Sequence, residues 1–170
     1  MEINVTLQNG QLPKKYGKFA AAVDIAQQHY PLRSFPIIIN NINPLAQSLA
    51  LTLVDPDSIP VCGFEWIHWT AANIPTDIQQ IPEDASQHPT FNFLQGKNST
   101  AGSLIGQTNP KINQHFNGPT PPQGLHLYEL RIFALDKKLN LTDGFWLNEL
   151  KHAMNGHIIE HQKLILPYRG

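Results

Sequence analysis

Apolar residues in this chain alternate with polar ones or gather in short blocks over most of its length. Five segments carry the pattern of strands: Phe35–Asn40, Ser48–Val54, Phe64–Ala72, His126–Leu135 and His157–Leu164. In Phe64–Ala72 a period of two puts Trp66, His68 and Thr70 on one face, with Ile67 and Trp69 opposite. In His126–Leu135 it groups His126, Tyr128, Leu130 and Ile132, and leaves Leu127, Glu129 and Arg131 toward solvent. Helical spacing stands out once. Phe145, Leu147, Leu150 and Met154 trace an apolar stripe that predicts a short helix over 144–154. Thr142 or Asp143 is placed to cap it, and Asn155-Gly156 to end it. A fainter helical pattern covers Ala20–Gln28. The stretch Gly96–Gly118, rich in Gly, Asn, Ser, Gln and Thr, reads as a long surface loop of the kind that often carries function.

Composition sharpens this picture toward β structure. The 14 prolines among 170 residues are spread along the chain, above the usual share of about 5%. Such punctuation excludes long helices and favours short strands joined by turns. No repeat and no linker interrupts the sequence, so a single domain spanning 1–170 is expected. Charged residues are only 15% of the chain and the net charge is −1, without the basic stripe of a nucleic-acid binder or a polybasic segment for an anionic membrane. The single cysteine, Cys62, rules out an intramolecular disulfide. The first residues lack the pattern of a signal peptide, and no apolar run is long enough to span a bilayer, so a cytoplasmic location is expected. In that setting the sequons at Asn4, Asn98 and Asn140 carry no meaning.

Candidate chemistry gathers at the strand ends. The apolar run Ser48–Val54 stops abruptly at Asp55-Pro56-Asp57, where a carboxylate emerging from a buried strand is placed to reach an imidazole. Asp55 can equally be a plain turn starter before proline. His68 and His126 each share a strand face with an aromatic ring, and each can equally be a core imidazole satisfied by a backbone carbonyl. The stiff loop Gly118-Pro119-Thr120-Pro121-Pro122-Gln123-Gly124 leads straight into His126, as a pocket wall held in place would.

The blocks SLALTLVDPDSIP (48–60), EWIHWTAANIP (65–75) and GPTPPQGLHLYELRIFALD (118–136) closely resemble the phosphatidylethanolamine-binding protein family, most of all its bacterial, Raf-kinase-inhibitor-like branch. The tail, a short helix and then GHIIEHQKLIL (156–166), fits as well. The resemblance implies a mainly β fold of two packed antiparallel sheets with Greek-key connections, plus the short helix near the C-terminus. It also implies a pocket for phosphate-like anions. The family's pocket aspartate falls on Asp55, its tryptophan and histidine on Trp66 and His68, and its second histidine and tyrosine on His126 and Tyr128. Gly118, Pro119, Pro121 and Pro122 match the Gly-Pro-rich wall. Ser58 replaces the usual alanine of the aspartate turn, Thr120 a common cysteine, and Leu127 the usual arginine between the second histidine and the tyrosine; Phe116, beside His115, stands for the aromatic before the Gly-Pro motif.

Other motifs carry less. His157-Ile158-Ile159-Glu160-His161 spells a zinc-peptidase pattern, but Gly156 breaks the helix this chemistry needs. Two histidines with Asp55 form a set that can hold iron, yet they come from three segments and the resembled family needs no metal, so neither a metal nor a cofactor is expected. Cys62, between strands, reads as an inert small residue. No nucleophile-elbow or P-loop pattern occurs. The resulting expectation is a non-enzymatic protein that captures a phosphate- or carboxylate-bearing small ligand between His68, His126 and Asp55. Two rivals stand beside it: a protein-interaction module inhibiting a kinase or protease, and a hydrolase using Asp55 and His68. A homodimer is expected from the resemblance and from a charge density that leaves apolar surface to cover.

Overall fold

The computed structural model describes residues 1–27 and 29–170. Strands dominate, and every strand pairing is antiparallel. In chain order they are β1 (Glu2–Asn4), β2 (Ile25–Ala26), β3 (Tyr30–Pro31), β4 (Ile37–Asn40), β5 (Ser48–Asp55), β6 (Trp66–Ile74), β7 (Gln80–Ile81), β8 (Leu94–Gln95), β9 (Leu125–Leu135) and β10 (Ile158–Arg169). Three short α-helices join them: α1 (Ile59–Cys62), α2 (Pro110–Asn113) and α3 (Leu147–Met154). No helix is long and apolar enough to cross a membrane among the described residues.

The main sheet has the order β10-β9-β5-β6-β8, and a smaller sheet the order β1-β4-β7. Strands β5, β6 and β8 lie side by side, and β9 returns to the far side of β5, which is the Greek-key order. The sequence pattern explains the placement of β5. Its eight residues are all buried, because both faces are covered. Leu49, Leu51 and Leu53 join Trp69, Leu130 and Ile132 in the core shared with Ile37 and Ile39 of the smaller sheet. Ala50 faces the other way, with Phe145, Leu150 and Met154 beneath α3.

Two expectations need correction. The fainter helix of Ala20–Gln28 does not form over the described residues: a 3-10 turn at Ala22–Asp24 leads into β2. Ala21 is already extended before that turn, and β-branched Ile25 pairs with Pro31 of β3 instead; the last residue of the expected helix, Gln28, lies outside the described residues. The helix near the C-terminus forms but starts at Leu147, capped at Trp146 and not at Thr142 or Asp143. Gly144 sits at φ 82°, outside helical space, so the chain must straighten first. Glu149 reaches back to accept the Trp146 N–H at 2.6 Å, while Asp143 accepts the Gln95 N–H at 2.9 Å and ties this turn to β8. Gly156, at φ 79°, ends the segment as expected.

The long loop is organised around one buried side chain. The Asn98 amide donates to the carbonyls of Ile112 (2.6 Å) and His115 (2.8 Å), and its carbonyl accepts from the Thr100 N–H and hydroxyl. That post delivers Phe116, fully buried, edge-on against Phe35 and Trp69.

Candidate functional site

The site begins where β5 leaves the core. Asp55 is 3% exposed and closes its own turn: its carboxylate accepts the Asp57 N–H at 3.0 Å, a local Asx bond that starts a 3-10 turn at Pro56–Ser58. The other carboxylate oxygen lies 2.7 Å from His126 Nδ1 on β9. Both readings of Asp55 made from the sequence therefore hold at once. The second acid of the turn, Asp57, accepts the Leu127 N–H at 2.8 Å and fastens the turn to the start of β9. The Ser58 hydroxyl sits between the carbonyls of Asp55 (2.6 Å) and Phe64 (2.8 Å) and accepts the Trp66 N–H (2.8 Å).

His68 reaches the same place by an irregularity. In the β5–β6 ladder Leu53 pairs with Trp69 but Val54 with Ile67, so His68 is an extra residue, a β-bulge. Strict alternation fails here. Trp69 packs in the core on the side of Leu53 and Tyr128, not opposite His68, while Thr70 turns to the other side, against Gly96 and Phe145. The bulge also lets His68 hold Asn117 twice: its carbonyl accepts the Asn117 N–H at 3.0 Å, and its Nδ1 lies 2.6 Å from the Asn117 carbonyl. That carbonyl can only accept, so Nδ1 carries the proton and Nε2 is the remaining nitrogen. His126 has the same arrangement with Asp55. Asp55 thus pairs with His126 and not with His68.

Tyr128 lies between the two imidazoles, edge-on to His68 (centroids 5.0 Å) and stacked on His126 (6.3 Å). Its hydroxyl is buried without a hydrogen-bond partner among the described residues. Burial first, and then the charge of Asp55, push its pKa well above the ordinary tyrosine value. Burial likewise pulls the His68 pKa below its ordinary value, against the opposing hydrogen bond to Asn117, and so favours the neutral ring.

These side chains line a cavity of about 180 Å³, together with Trp66, Pro121 and Pro122. The cavity is smaller than the ~300–1,000 Å³ pockets that enclose drug-sized ligands. Trp66 stacks on Phe64 at its edge (5.9 Å). Ser58, Val61, Cys62 and Thr120 line it too, and sequence reasoning did not include them. Ser58 and Thr120 had stood out only as departures from a family pattern, and Cys62 belongs to α1, not to a loop. Gly118 and Pro119 are not lining residues; they hold the wall from behind. A Cβ on Gly118 would lie 2.1 Å from the Tyr16 carbonyl oxygen, so glycine is needed for backbone packing there. The Pro119 carbonyl accepts the Lys18 N–H at 2.8 Å.

The zinc-peptidase pattern dissolves on β10. His157 Nδ1 lies 2.9 Å from Asp136, Glu160 accepts from the Met1 amino group, and His161 stacks on Phe133. Among the described residues no group of three His, Cys, Asp or Glu side chains converges in a way that could hold a metal ion.

The family model of the phosphatidylethanolamine-binding proteins matches residues 3–169. The chain is 46% identical over 158 residues to YxkA of Bacillus subtilis, an uncharacterised protein, across 93% of this chain and 94% of that one. Its structure is similar to that of a putative phosphatidylethanolamine-binding protein homologue of Chlamydia trachomatis, with a TM-score of 0.73 and 28% identity over 94% of this chain and 90% of the other. YbcL of Escherichia coli shares the fold at a TM-score of 0.76 and 21% identity, over 99% and 98% of the two chains.

Proposed function

The chain belongs to the phosphatidylethanolamine-binding protein family, and on that premise we propose that it is a non-enzymatic binding protein whose pocket captures a phosphate or carboxylate head group. One observation carries the reading. Both imidazoles lining the cavity spend Nδ1 on an internal acceptor, which leaves Nε2 of each for a ligand. On protonation each Nε2 donates to an anion oxygen, and Asp55 keeps the His126 ring in register. A cavity of this size takes a head group and leaves any larger part of the ligand at the mouth. A hydrolase using Asp55 and His68 would be a different use of the same pocket, in which the Ser58 hydroxyl, committed to backbone groups, is not the nucleophile.

Isothermal titration with inorganic phosphate at pH 6 tests the proposal. Each charge-assisted hydrogen bond is worth roughly 1.5–3 kcal/mol, so His68→Ala and His126→Ala should each weaken binding by about tenfold or more. Binding untouched by either substitution would place the anion elsewhere, and steady turnover of a phosphate ester lost with them would make the protein an enzyme.

A second reading, a module that inhibits a kinase or protease, draws on the apolar rim. Ile59, Val61, Phe64 and Leu127 are all exposed around the pocket elements. Capture of a protein target that survives loss of both histidines would favour it. Either role suits a cytoplasmic homodimer.

A further inference from the structure

The short segment Lys14-Lys15-Tyr16-Gly17-Lys18-Phe19 gathers three of the chain's 12 basic residues on the outer side of the pocket wall. Lys15 is paired with Glu83 at 2.6 Å. Lys14 and Lys18 meet no carboxylate among the described residues; their ammonium groups instead lie 5.3 and 5.4 Å from the centroid of the Phe19 ring. Phe19 is 49% exposed, stacked at 6.4 Å on the buried Tyr168.

The patch is rigid. A Cβ on Gly17 would lie 2.4 Å from both the Pro119 carbonyl oxygen and the Tyr168 ring, so the backbone is fitted closely between them. The Lys18 N–H donates to the Pro119 carbonyl at 2.8 Å, its Nζ to the Pro121 carbonyl at 3.0 Å, and Tyr168 donates its hydroxyl to the Lys14 carbonyl at 3.2 Å. An exposed apolar ring beside two ammonium groups that face no carboxylate among the described residues is an anion-and-apolar recognition surface whose ordering cost is already met by the fold.

From this geometry we infer that the Lys14–Phe19 face docks an acidic segment of a partner protein, in which carboxylates flank an apolar residue. The apolar residue packs on Phe19 while the carboxylates take Lys14 and Lys18. Two such cations are too few for an anionic membrane, which selects clusters of about 4–8, and the chain offers no basic track for a nucleic-acid backbone. Charge complementarity therefore favours a short acidic peptide. The surface lies outside the cavity and stands independently of what the cavity binds.

Fluorescence anisotropy of the full chain with a labelled peptide, one leucine flanked by two glutamates on each side, tests it at low ionic strength. Binding is expected to weaken as salt is raised, to fall roughly tenfold or more with Lys14→Glu, and to fall again with Phe19→Ser. Lys14→Glu is the informative variant because Lys14, unlike Lys18, does not brace the Pro121 wall; an unchanged melting temperature and phosphate affinity show that it folds and keeps its pocket. Absence of binding, binding unchanged by Lys14→Glu, or equal binding of the glutamine version of the peptide would each overturn the proposal. So would tighter, Lys14-dependent binding to phosphatidylglycerol vesicles, which would make the patch a membrane contact.

Discussion

His68 and Tyr128 are held at some energetic cost to the folded chain, and each cost has a measurable sign. The His68 pKa is pulled below 6.5 by burial, so the unfolded chain takes up this proton first as pH falls. Its contribution to stability is present above about 6.5 and lost below it. An anion held at Nε2 reverses that sign by favouring the charged ring. Phosphate should therefore raise the melting temperature by more at pH 5.5 than at pH 8, and sulfate, whose charge is constant over that range, should do the same. Equal protection at both ends would remove His68 from the anion site. Among the described residues two buried hydroxyls, those of Tyr128 and Thr70, find no hydrogen-bond partner, which allows a paired test. An unsatisfied buried polar group costs about 1–3 kcal/mol, so Tyr128→Phe and Thr70→Val should both stabilise the ligand-free protein. Only Tyr128→Phe should weaken phosphate binding, because Thr70 lies on the other face of the sheet against Phe145. Both histidines were legible from strand alternation, yet their tethers were not. The carbonyl of Asn117 has no sequence signature, and the Asp55–His126 pair joins residues 71 positions apart.

Among the elements, the strands were the most readable, because burial on one or both faces writes itself directly into the polar pattern. Where boundaries or faces were misjudged, a local backbone event had won over side-chain periodicity. Gly144 delayed α3, and the bulge at His68 moved Trp69 across the sheet. The Gly-Pro wall was recognised as stiff, but its glycine serves a purpose that no pattern announces. With only 2.1 Å between a Cβ at this position and the Tyr16 carbonyl oxygen, Gly118→Ala must push the wall away from the segment that braces it. The expected outcome is a loss of stability of about 1–3 kcal/mol from overpacking, together with weaker phosphate binding, read by denaturant unfolding and titration calorimetry. A variant as stable as the parent would mean that the wall has slack.

At the level of the whole molecule, the Greek-key order β9-β5-β6-β8 puts the most buried strand at the centre, and the pocket opens at the end of that strand. The site is thus assembled from β5, β6, β9 and the wall, segments that approach one another only in the finished sheet. This is why fold class and the five longest strands could be read from one sequence, while the short strands β1, β2, β3, β7 and β8 and the lining at Val61 and Cys62 could not. Exposed apolar side chains remain on the surface, among them Val23, Leu45, Val61 and Leu104. The expectation of a homodimer rests on the family resemblance and the low charge fraction; if these side chains are what it covers, sedimentation velocity over a range of concentrations should show a dimer that dissociates on dilution. A single monomeric species at high concentration would reject it.

The extra residue at His68, with a second register shift nearer Ile74, means that β6 changes phase twice along its length. Copying Asp55, His68, His126 and Tyr128 onto a regular sheet of the same size would keep His68 on the face of Trp66 but turn Trp69 out of the core that backs the pocket. The recipe for transplanting this site has to include a length of irregular backbone as well as four side chains. By the same token, removing Ile67 alone should keep Trp69 in the core but turn His68 to the other face, and titration calorimetry should then show phosphate binding lost.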